Sequence, residues 1–448
     1  MISNREIFGQ DPFVKRILPP ARPKPGVKYV PSQYAFRFDY DGKHYVSNML
    51  TKQCLEAELP ESALAGEGYD KLIEDMFLVP EDKDECAFYM SVAAVVRAYQ
   101  KKEGVQAFTI MPTLGCNARC IYCYEEGMKQ VTMTPEIVEQ AIRFILKNRR
   151  SDKIHLAWFG GEPLLCPDMI DRICEGVREA GVDYHSTMIS NGSLITPEIV
   201  EKMAGDWRLK RVQISMDGAE EDYIPRKNYY SYHDYYHVVM EGISRLSEAG
   251  ITVSIRCNID EKMLDRIPQY IEDLKNGISD KEHVRLYFSP LHGDRMTDRD
   301  LPLWKKTLTF APLIREAGFH SVYHDRSVLR LRVLHCMADT GNVCIAPDGN
   351  LFPCEHCPPY SRFGDIWNGV TDQAALDEFI RTDIVLDKCR KCPFLPLCTT
   401  FNSCPIQDWD CRGTVDLLTR EYLKELMDHR KEQEAAEAET KSDASAFC

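Results

Sequence analysis

A chain of 448 residues, 44% hydrophobic and 28% charged, has the composition of an ordinary globular protein large enough for two or three domains. Its formal net charge of -14 excludes a general attraction to nucleic acid or to an anionic membrane surface. Met1-Ile2-Ser3-Asn4-Arg5-Glu6 leads into no apolar signal region and no run reaches the length of a membrane span, so a cytoplasmic protein is expected, with no membrane and no nucleic-acid partner. Eighteen cysteines in such a chain suit metal better than a disulfide scaffold, and they are crowded: three lie between 116 and 123 and nine between 336 and 411.

In chain order, residues 17 to 31 are proline-rich and read as an extended lead-in. Phe36-Arg37-Phe38-Asp39-Tyr40 alternates, Asp41-Gly42 supplies a turn and Lys43-His44-Tyr45-Val46 returns, which predicts a β-hairpin. Helical spacing follows from Tyr69 to Phe77 and from Cys86 to Tyr99. Residues 1–105 therefore read as a small separate α+β module.

From 106 to 325 strand and helix patterns alternate. Strands are expected at 107–112, 153–159, 184–190, 210–216, 251–257 and 284–289. Helices are expected near 134–148, 167–179, 196–204, 232–248, 261–275 and 303–317. Such βα units predict a parallel sheet, curved into a partial (β/α)6 barrel, with its chemistry at the carboxyl ends of the strands. Residues 326–425 are loop-rich and hold most of the cysteines. Residues 426–448 form a helical or disordered tail, with a helix over 420–430 and a frayed Ala-, Glu- and Ser-rich end from Lys431.

Cys116, Cys120 and Cys123 follow the first barrel strand with CxxxCxxC spacing, and Tyr122 precedes the last of them. Three soft thiolates on one short loop suit three irons of a 4Fe-4S cluster and leave the fourth iron open to a substrate. Structural thiols or half of a zinc site are the alternatives. The arrangement resembles radical S-adenosylmethionine (SAM) enzymes, whose first barrel strand ends in this motif. Gly160-Gly161-Glu162-Pro163 after the second strand resembles the element of that family that binds the SAM amino group. Ser190-Asn191-Gly192 and Ser215-Met216-Asp217-Gly218 resemble its elements facing the ribose and carboxylate. Arg256, ending the fifth strand, is a candidate carboxylate partner. Each alone could be an ordinary Asx or glycine turn.

The later cysteines resemble the SPASM domain of radical SAM peptide maturases, which holds two auxiliary 4Fe-4S clusters. The resemblance implies Cys336, Cys344, Cys354 and Cys404 for one cluster and Cys389, Cys392, Cys398 and Cys411 for the other. The interval from Cys398 to Cys404 is two residues longer than usual, which bears on Cys404, and a zinc ribbon at Cys389-x2-Cys392 is the alternative. Glu355 stands where sulfatase-maturing relatives carry a catalytic aspartate; it is a candidate base or a solvated loop carboxylate. The other cysteines, Cys54, Cys86, Cys166, Cys174, Cys257 and Cys448, read as small hydrophobes, and Cys357 reads as a spare ligand, a substrate-handling thiol or one more buried small hydrophobe.

The fold class implied is a partial (β/α)6 radical SAM barrel, with an N-terminal winged-helix-like α+β module and a C-terminal SPASM domain. The function implied is an oxidoreductase that uses SAM and three 4Fe-4S clusters to crosslink a ribosomally synthesised precursor peptide through a thioether or carbon-carbon bond. The N-terminal module would bind the peptide's leader segment as an added strand, or serve as scaffold. An external one-electron reductant such as flavodoxin or ferredoxin is expected. The alternatives are a formylglycine-generating anaerobic sulfatase maturase and a non-catalytic multi-cluster electron carrier.

Overall fold

The computed structural model describes residues 5–18, 20–100, 104–231, 234–291, 301–321, 331, 341–356, 361–379, 385–397 and 412–445. The first hundred residues form β1 (Arg5–Phe8), α1 (Pro12–Ile17), β2 (Tyr29–Pro31), β3 (Ala35–Tyr40), β4 (Lys43–Asn48), β5 (Cys54–Glu56), α2 (Asp70–Glu74), β6 (Leu78–Pro80) and α3 (Glu85–Gln100). One sheet runs β1-β5-β4-β3 and a second pairs β2 with β6. The expected hairpin is β3–β4, paired from Ala35 with Asn48 to Tyr40 with Lys43. Asp41 and Gly42 at its tip have φ of 51° and 70°, the left-handed pair that a two-residue turn between twisted strands requires.

The central region follows as β7 (Ala107–Ile110), α4 (Pro135–Asn148), β8 (Lys153–Trp158), α5 (Pro167–Glu179), β9 (Asp183–Ser190), α6 (Pro197–Ala204), β10 (Leu209–Ser215), α7 (Glu220–Lys227), α8 (Tyr235–Glu248), β11 (Thr252–Ile259), α9 (Ile267–Gly277), β12 (Val284–Pro290), α10 (Leu301–Leu308), α11 (Ala311–Glu316) and β13 (His320–Ser321). Strands β7 to β12 are each followed by a helix, and neighbouring pairs from β7 to β13 are parallel. Thr134 and Thr196 cap α4 and α6 through side-chain oxygens that accept from Ile137 N and Ile199 N, each just ahead of a proline in the first turn.

Alternate strand residues such as Ile154, Leu156, Trp158, Val212, Ile214, Val253 and Ile255 join one continuous apolar core with the helices. The intervening residues are polar: His155 Nε2 bonds Thr187 Oγ1 at 2.9 Å, and Tyr287 OH donates to Gln213 Oε1 at 2.8 Å. Parallel strands covered on both faces read as near-continuous apolar runs, so a polar second face marks the side that holds a ligand.

The last part contains β14 (Asn342–Ile345), β15 (Asn350–Phe352), β16 (Gly364–Asp365), β17 (Gly369–Val370), α12 (Gln373–Phe379) and α13 (Arg412–Ser445). Strand β14 adds in parallel to the free side of β7, pairing Asn342 with Ala107 and Cys344 with Thr109, and β15 to β17 extend the sheet antiparallel. The cysteine-bearing segment thus shares a sheet with the βα units.

Four expectations need correction. The span 261–275 divides into a 3-10 turn over Glu261–Arg266 and α9, and 303–317 divides into α10 and α11; Pro268 and Pro312 each lie in a first turn, where proline is tolerated. Helix α7 was not expected, since its sequence is polar and contains Pro225. The tail beyond Lys431 is helical to Ser445, because its Ala, Glu and Lys residues are good helix formers. Finally, the N-terminal sheet is not a self-contained body. Phe36, Phe38, Tyr45 and Val96 share their core with Phe394, Leu395, Tyr422, Leu423 and Met427. Arg420 donates to Arg37 O at 3.0 Å, and Tyr40 OH donates to Asp428 at 2.6 Å.

Candidate active site

The loop carrying Cys116, Cys120 and Cys123 leaves the carboxyl end of β7 and is held by backbone bonds to the last residues of α7 and the segment after it. Arg119 N donates to Lys227 O and Ile121 N to Arg226 O, both at 3.0 Å, and Tyr230 N donates to Asn117 O at 3.1 Å. Asn228, at φ 46°, turns the chain so that this segment can run beside the loop. All three thiols are half-buried. Burial pushes the Cys116 thiol up to about 11 and raises Cys120 and Cys123 as well. Cys116 Sγ accepts from Ala118 N at 3.4 Å, and Asn191 Nδ2 lies 3.8 Å away. Three thiols on one loop with protein donors aimed at sulfur fit a thiolate-bound cluster, since hydrogen bonds to the sulfurs are one lever on such a centre.

Gly160 and Gly161 meet this loop at close range. A Cβ on Gly160, whose φ is 122°, would lie 2.2 Å from Thr113 O, and one on Gly161 would lie 2.3 Å from Gly115 O. Gly161 N donates to Thr113 O at 3.1 Å and Glu162 N to Gly115 O at 2.9 Å. The double glycine is therefore demanded by the protein's own backbone, where the sequence suggested approach to a ligand. The Glu162 side chain is fully buried and accepts from Asn191 N at 2.8 Å, Ser190 Oγ at 2.9 Å and Leu164 N at 3.1 Å. Desolvation dominates over these bonds and raises its carboxyl to about 7.

Asn191 and Ser193 reach the same loop: Asn191 Nδ2 donates to Asn117 Oδ1 at 2.8 Å, and Asn117 Nδ2 to Ser193 Oγ at 2.9 Å. Asp217, fully buried, accepts from Asn258 N at 2.8 Å and Asn258 Nδ2 at 3.0 Å with one oxygen. Its other oxygen faces Tyr122 OH and, at 3.3 Å, Lys227 Nζ. Lys227 Nζ donates to Tyr122 OH at 3.0 Å. Burial opposes a charge on Lys227, but Asp217 and Tyr122 outweigh it and hold its pKa well above the ordinary lysine value. Ser215 is in register with Arg256, whose Nη2 donates to Ser289 Oγ at 3.1 Å while its buried Nε has no hydrogen-bond partner among the described residues.

The structure thus gathers Tyr122, Glu162, Ser190, Asn191 and Asp217 around the three-thiol loop. Asn117, Lys227 and Asn258 escaped the sequence reading. Lys227 ends a helix disguised by Pro225, and nothing local distinguishes it from a surface lysine.

A second group lies against the same strands. The β14–β15 hairpin turns at Gly349, φ 82°, and brings fully buried Cys344 and half-buried Cys354 into one small cluster with Met111, Leu114 and Phe159. Glu355 and Glu125 both act electrostatically on Tyr124 and Cys344. Glu355 Oε2 and Glu125 Oε1 are buried with no hydrogen-bond partner among the described residues. Burial lifts Glu125 to about 7. The Tyr124 and His356 rings lie 4.8 Å apart, on the residues next to Glu125 and Glu355.

Cys389 and Cys392 form a separate turn, Cys392 N donating to Cys389 O at 3.0 Å, and pack against the N-terminal core. Cys336, Cys357, Cys398, Cys404, Cys411 and Cys448 lie outside the described residues. Cys54, Cys86, Cys174 and Cys257 are buried, as expected of small hydrophobes, and Cys166 is half-buried. None of the described helices is long and apolar enough to cross a membrane.

Residues 110–274 match the family described as the Radical SAM superfamily. The chain is 23% identical over 342 residues to the AdoMet-dependent heme synthase of Methanosarcina barkeri, covering 70% of this chain and 93% of the synthase. Its fold is similar to that of anSMEcpe with bound AdoMet and the Cp18Cys peptide, at TM-score 0.59 and 17% identity, over 73% of this chain and 99% of that one. It is also similar to Streptococcus suis SuiB bound to its precursor peptide SuiA, at TM-score 0.50 and 14% identity, over 84% and 96% of the two chains. The chain carries a radical SAM domain, whose kind implies a 4Fe-4S cluster and S-adenosylmethionine, and it is a radical SAM enzyme.

Proposed function

We propose that this enzyme is a maturase that crosslinks a ribosomally synthesised precursor peptide, forming a thioether or carbon-carbon bond. The observation that carries this reading is the small cluster that joins Cys344, on β14 beside β7, to Cys354 just beyond β15, with Glu355 next to it and Glu125 on the three-thiol loop each keeping a buried oxygen without a hydrogen-bond partner among the described residues. Likeness in fold to two enzymes solved with peptides supports a peptide substrate.

Cys116, Cys120 and Cys123 would hold the SAM-binding cluster, with Gly160, Gly161 and Glu162 shaping the floor on which the methionine part of SAM rests. Ser190, Asn191, Ser215 and Asp217 face the ribose side, and Arg256 offers an unused donor to the carboxylate. Tyr122 is held by Asp217 and Lys227 and closes the loop from below. When bound, cluster and SAM supply hydrogen-atom abstraction from an unactivated carbon. Glu355, with its buried unpartnered oxygen, then accepts the proton released as the substrate is oxidised.

Cys336, Cys344, Cys354 and Cys404 would hold one auxiliary cluster and Cys389, Cys392, Cys398 and Cys411 the other, taking the electron. The N-terminal sheet would receive the leader as an added strand. Arg420 of α13 bonds to Arg37 O on the edge strand β3, so β1, the other edge of that sheet, is the proposed place for it among the described residues. A one-electron donor such as flavodoxin or ferredoxin, in the cytoplasm, completes the system.

Likeness to anSMEcpe favours a second reading, the oxidation of one residue to formylglycine. Co-expression with the short open reading frames beside its gene, followed by mass spectrometry, separates the two. Loss of one hydrogen pair with a new link between residues supports the maturase, and an aldehyde on a sulfatase peptide supports the alternative. The triple Ala variant at Cys116, Cys120 and Cys123 should lose about four irons per chain and all SAM cleavage. Zinc in place of iron in anaerobically purified protein would overturn both readings.

A further inference from the structure

We propose that Arg285 binds a carboxylate of the peptide that this enzyme modifies, on the polar face of the barrel sheet, and so selects among substrates. The carboxylate is an Asp or Glu side chain or the peptide's own carboxyl end. The inference rests on the reading of the enzyme as a peptide maturase. The polar face leads down from the three-thiol site. Asn258, which donates to Asp217, has Arg256 two residues below it on β11 and Ser254 four below. Ser254 is in register with Arg285 on β12 and with Gln213 on β10, which puts Arg285 about 13 Å below the level of Asn258. Tyr287, in register with Arg256, donates from its OH to Gln213 Oε1 at 2.8 Å. This bridge crosses β11 between Arg256 and Ser254, so Arg256 stands on the side of the three-thiol loop and Arg285 on the other.

Arg285 is half-buried in mid-sheet, and its guanidinium has no hydrogen bond or ion pair among the described residues. Arg211, two residues below Gln213 on the same face, is likewise without one. Strands β7 to β12 carry one carboxylate, Asp183, and Arg208 holds it at 2.7 Å. Two planar donors thus face a floor on which no described group accepts from them, a geometry suited to a carboxylate that arrives with the substrate. An extended chain advances about 3.5 Å per residue, so the acidic group lies within about four residues of the carbon attacked at the three-thiol site. Solvation by water would satisfy the same guanidinium without selectivity, so the readout is the preference between acidic and neutral peptides.

The probes are glycine heptapeptides labelled at the amino end with a neutral coumarin. One has a central Glu and an amidated end, one a central Gln and an amidated end, and one a central Gln and a free carboxyl end. Their affinity for the cluster-loaded, SAM-bound, unreduced enzyme is read by fluorescence anisotropy. An acidic probe should bind at least about tenfold tighter than the neutral one, and which of the two does so tells side chain from chain end. Arg285→Gln orphans no partner, so it should keep the wild-type urea midpoint while bringing all three probes within about threefold. Ser254→Asp, which sets a carboxylate beside Arg285 on the neighbouring strand, should remove the same preference and takes the place of Arg285→Gln if that variant fails to fold. Equal binding of the three probes by wild type, no binding included, overturns the inference, as does an acid preference that persists in the folded variant. A crosslinked product on co-expression with no acid preference here removes the inference alone. An Arg285-dependent preference with no crosslinked product supports the carboxylate site and removes the maturase reading.

Discussion

Gly161→Ala adds one methyl group at the point where the second strand's turn presses on the three-thiol loop. Gly161 does not have a positive φ, so alanine fits the backbone and the whole cost is contact. The new Cβ would lie 2.3 Å from Gly115 O, 2.6 Å from Gly115 C and 2.7 Å from Leu114 O. Relief to an ordinary separation requires the two backbones to part by about 1 Å. That movement stretches the bonds from Glu162 N to Gly115 O, now 2.9 Å, and from Gly161 N to Thr113 O, now 3.1 Å. Overpacking of this kind together with two weakened hydrogen bonds amounts to about 2–4 kcal/mol. The displaced peptide is the one that enters Cys116, so iron binding should suffer alongside stability.

The assay is the urea midpoint of anaerobically purified protein together with iron per chain. Gly181→Ala serves as control, since its Cβ would meet nothing within 4 Å and only its φ of 72° is strained. A Gly161→Ala protein that loses no more stability than this control, and fills with iron normally, would refute the argument that the glycine serves the loop's backbone.

Glu355→Gln should leave cluster content and 5'-deoxyadenosine formation intact while peptide product falls about 10²-fold or more; undiminished product would return Glu355 to the class of loop carboxylates. Leu423→Ala, at a site with no exposure, should cost about 2–5 kcal/mol and speed hydrogen exchange in β3 and β4, and unchanged exchange there would show that α13 does not complete that core. His155 is lowered from 6.5 to about 4 by burial first, and then by His185 and Arg211. Between those pH values the unfolded chain binds the extra proton, so stability falls as pH falls through the window. His155→Gln should flatten that part of the urea midpoint's pH profile, and an identical slope in both proteins would exclude His155 as the cause.

The alternation of β7 to β12 with helices was legible because each element carries its own period, and the thiol and glycine motifs were legible because their chemistry is local. What escaped depends on partners distant in sequence. Cys344 looks like one ligand among many until β14 is seen to pair with β7. Phe36 and Phe38 look like the core of an independent hairpin until Phe394 and Leu423 are found against them. Lys227 carries no signal in its neighbours, since its burial is created by Asp217 ten residues earlier and by the loop a hundred residues before that.

The closure of the first sheet by the last helix has a consequence for the protein's synthesis. The ribosome delivers Phe36, Phe38 and Tyr45 long before Tyr422, Leu423 and Met427, which share their core and emerge only after the whole βα region. Strand β7 likewise waits for Asn342–Ile345 before its second side is paired. Long-range closure of this kind is slow and leaves apolar surface open meanwhile. Nascent chains must therefore be shielded until residue 427 has emerged, and a chain cut before Tyr422 would lack one side of the core that Phe36, Phe38 and Tyr45 share, whatever the soundness of the sequence that encodes them.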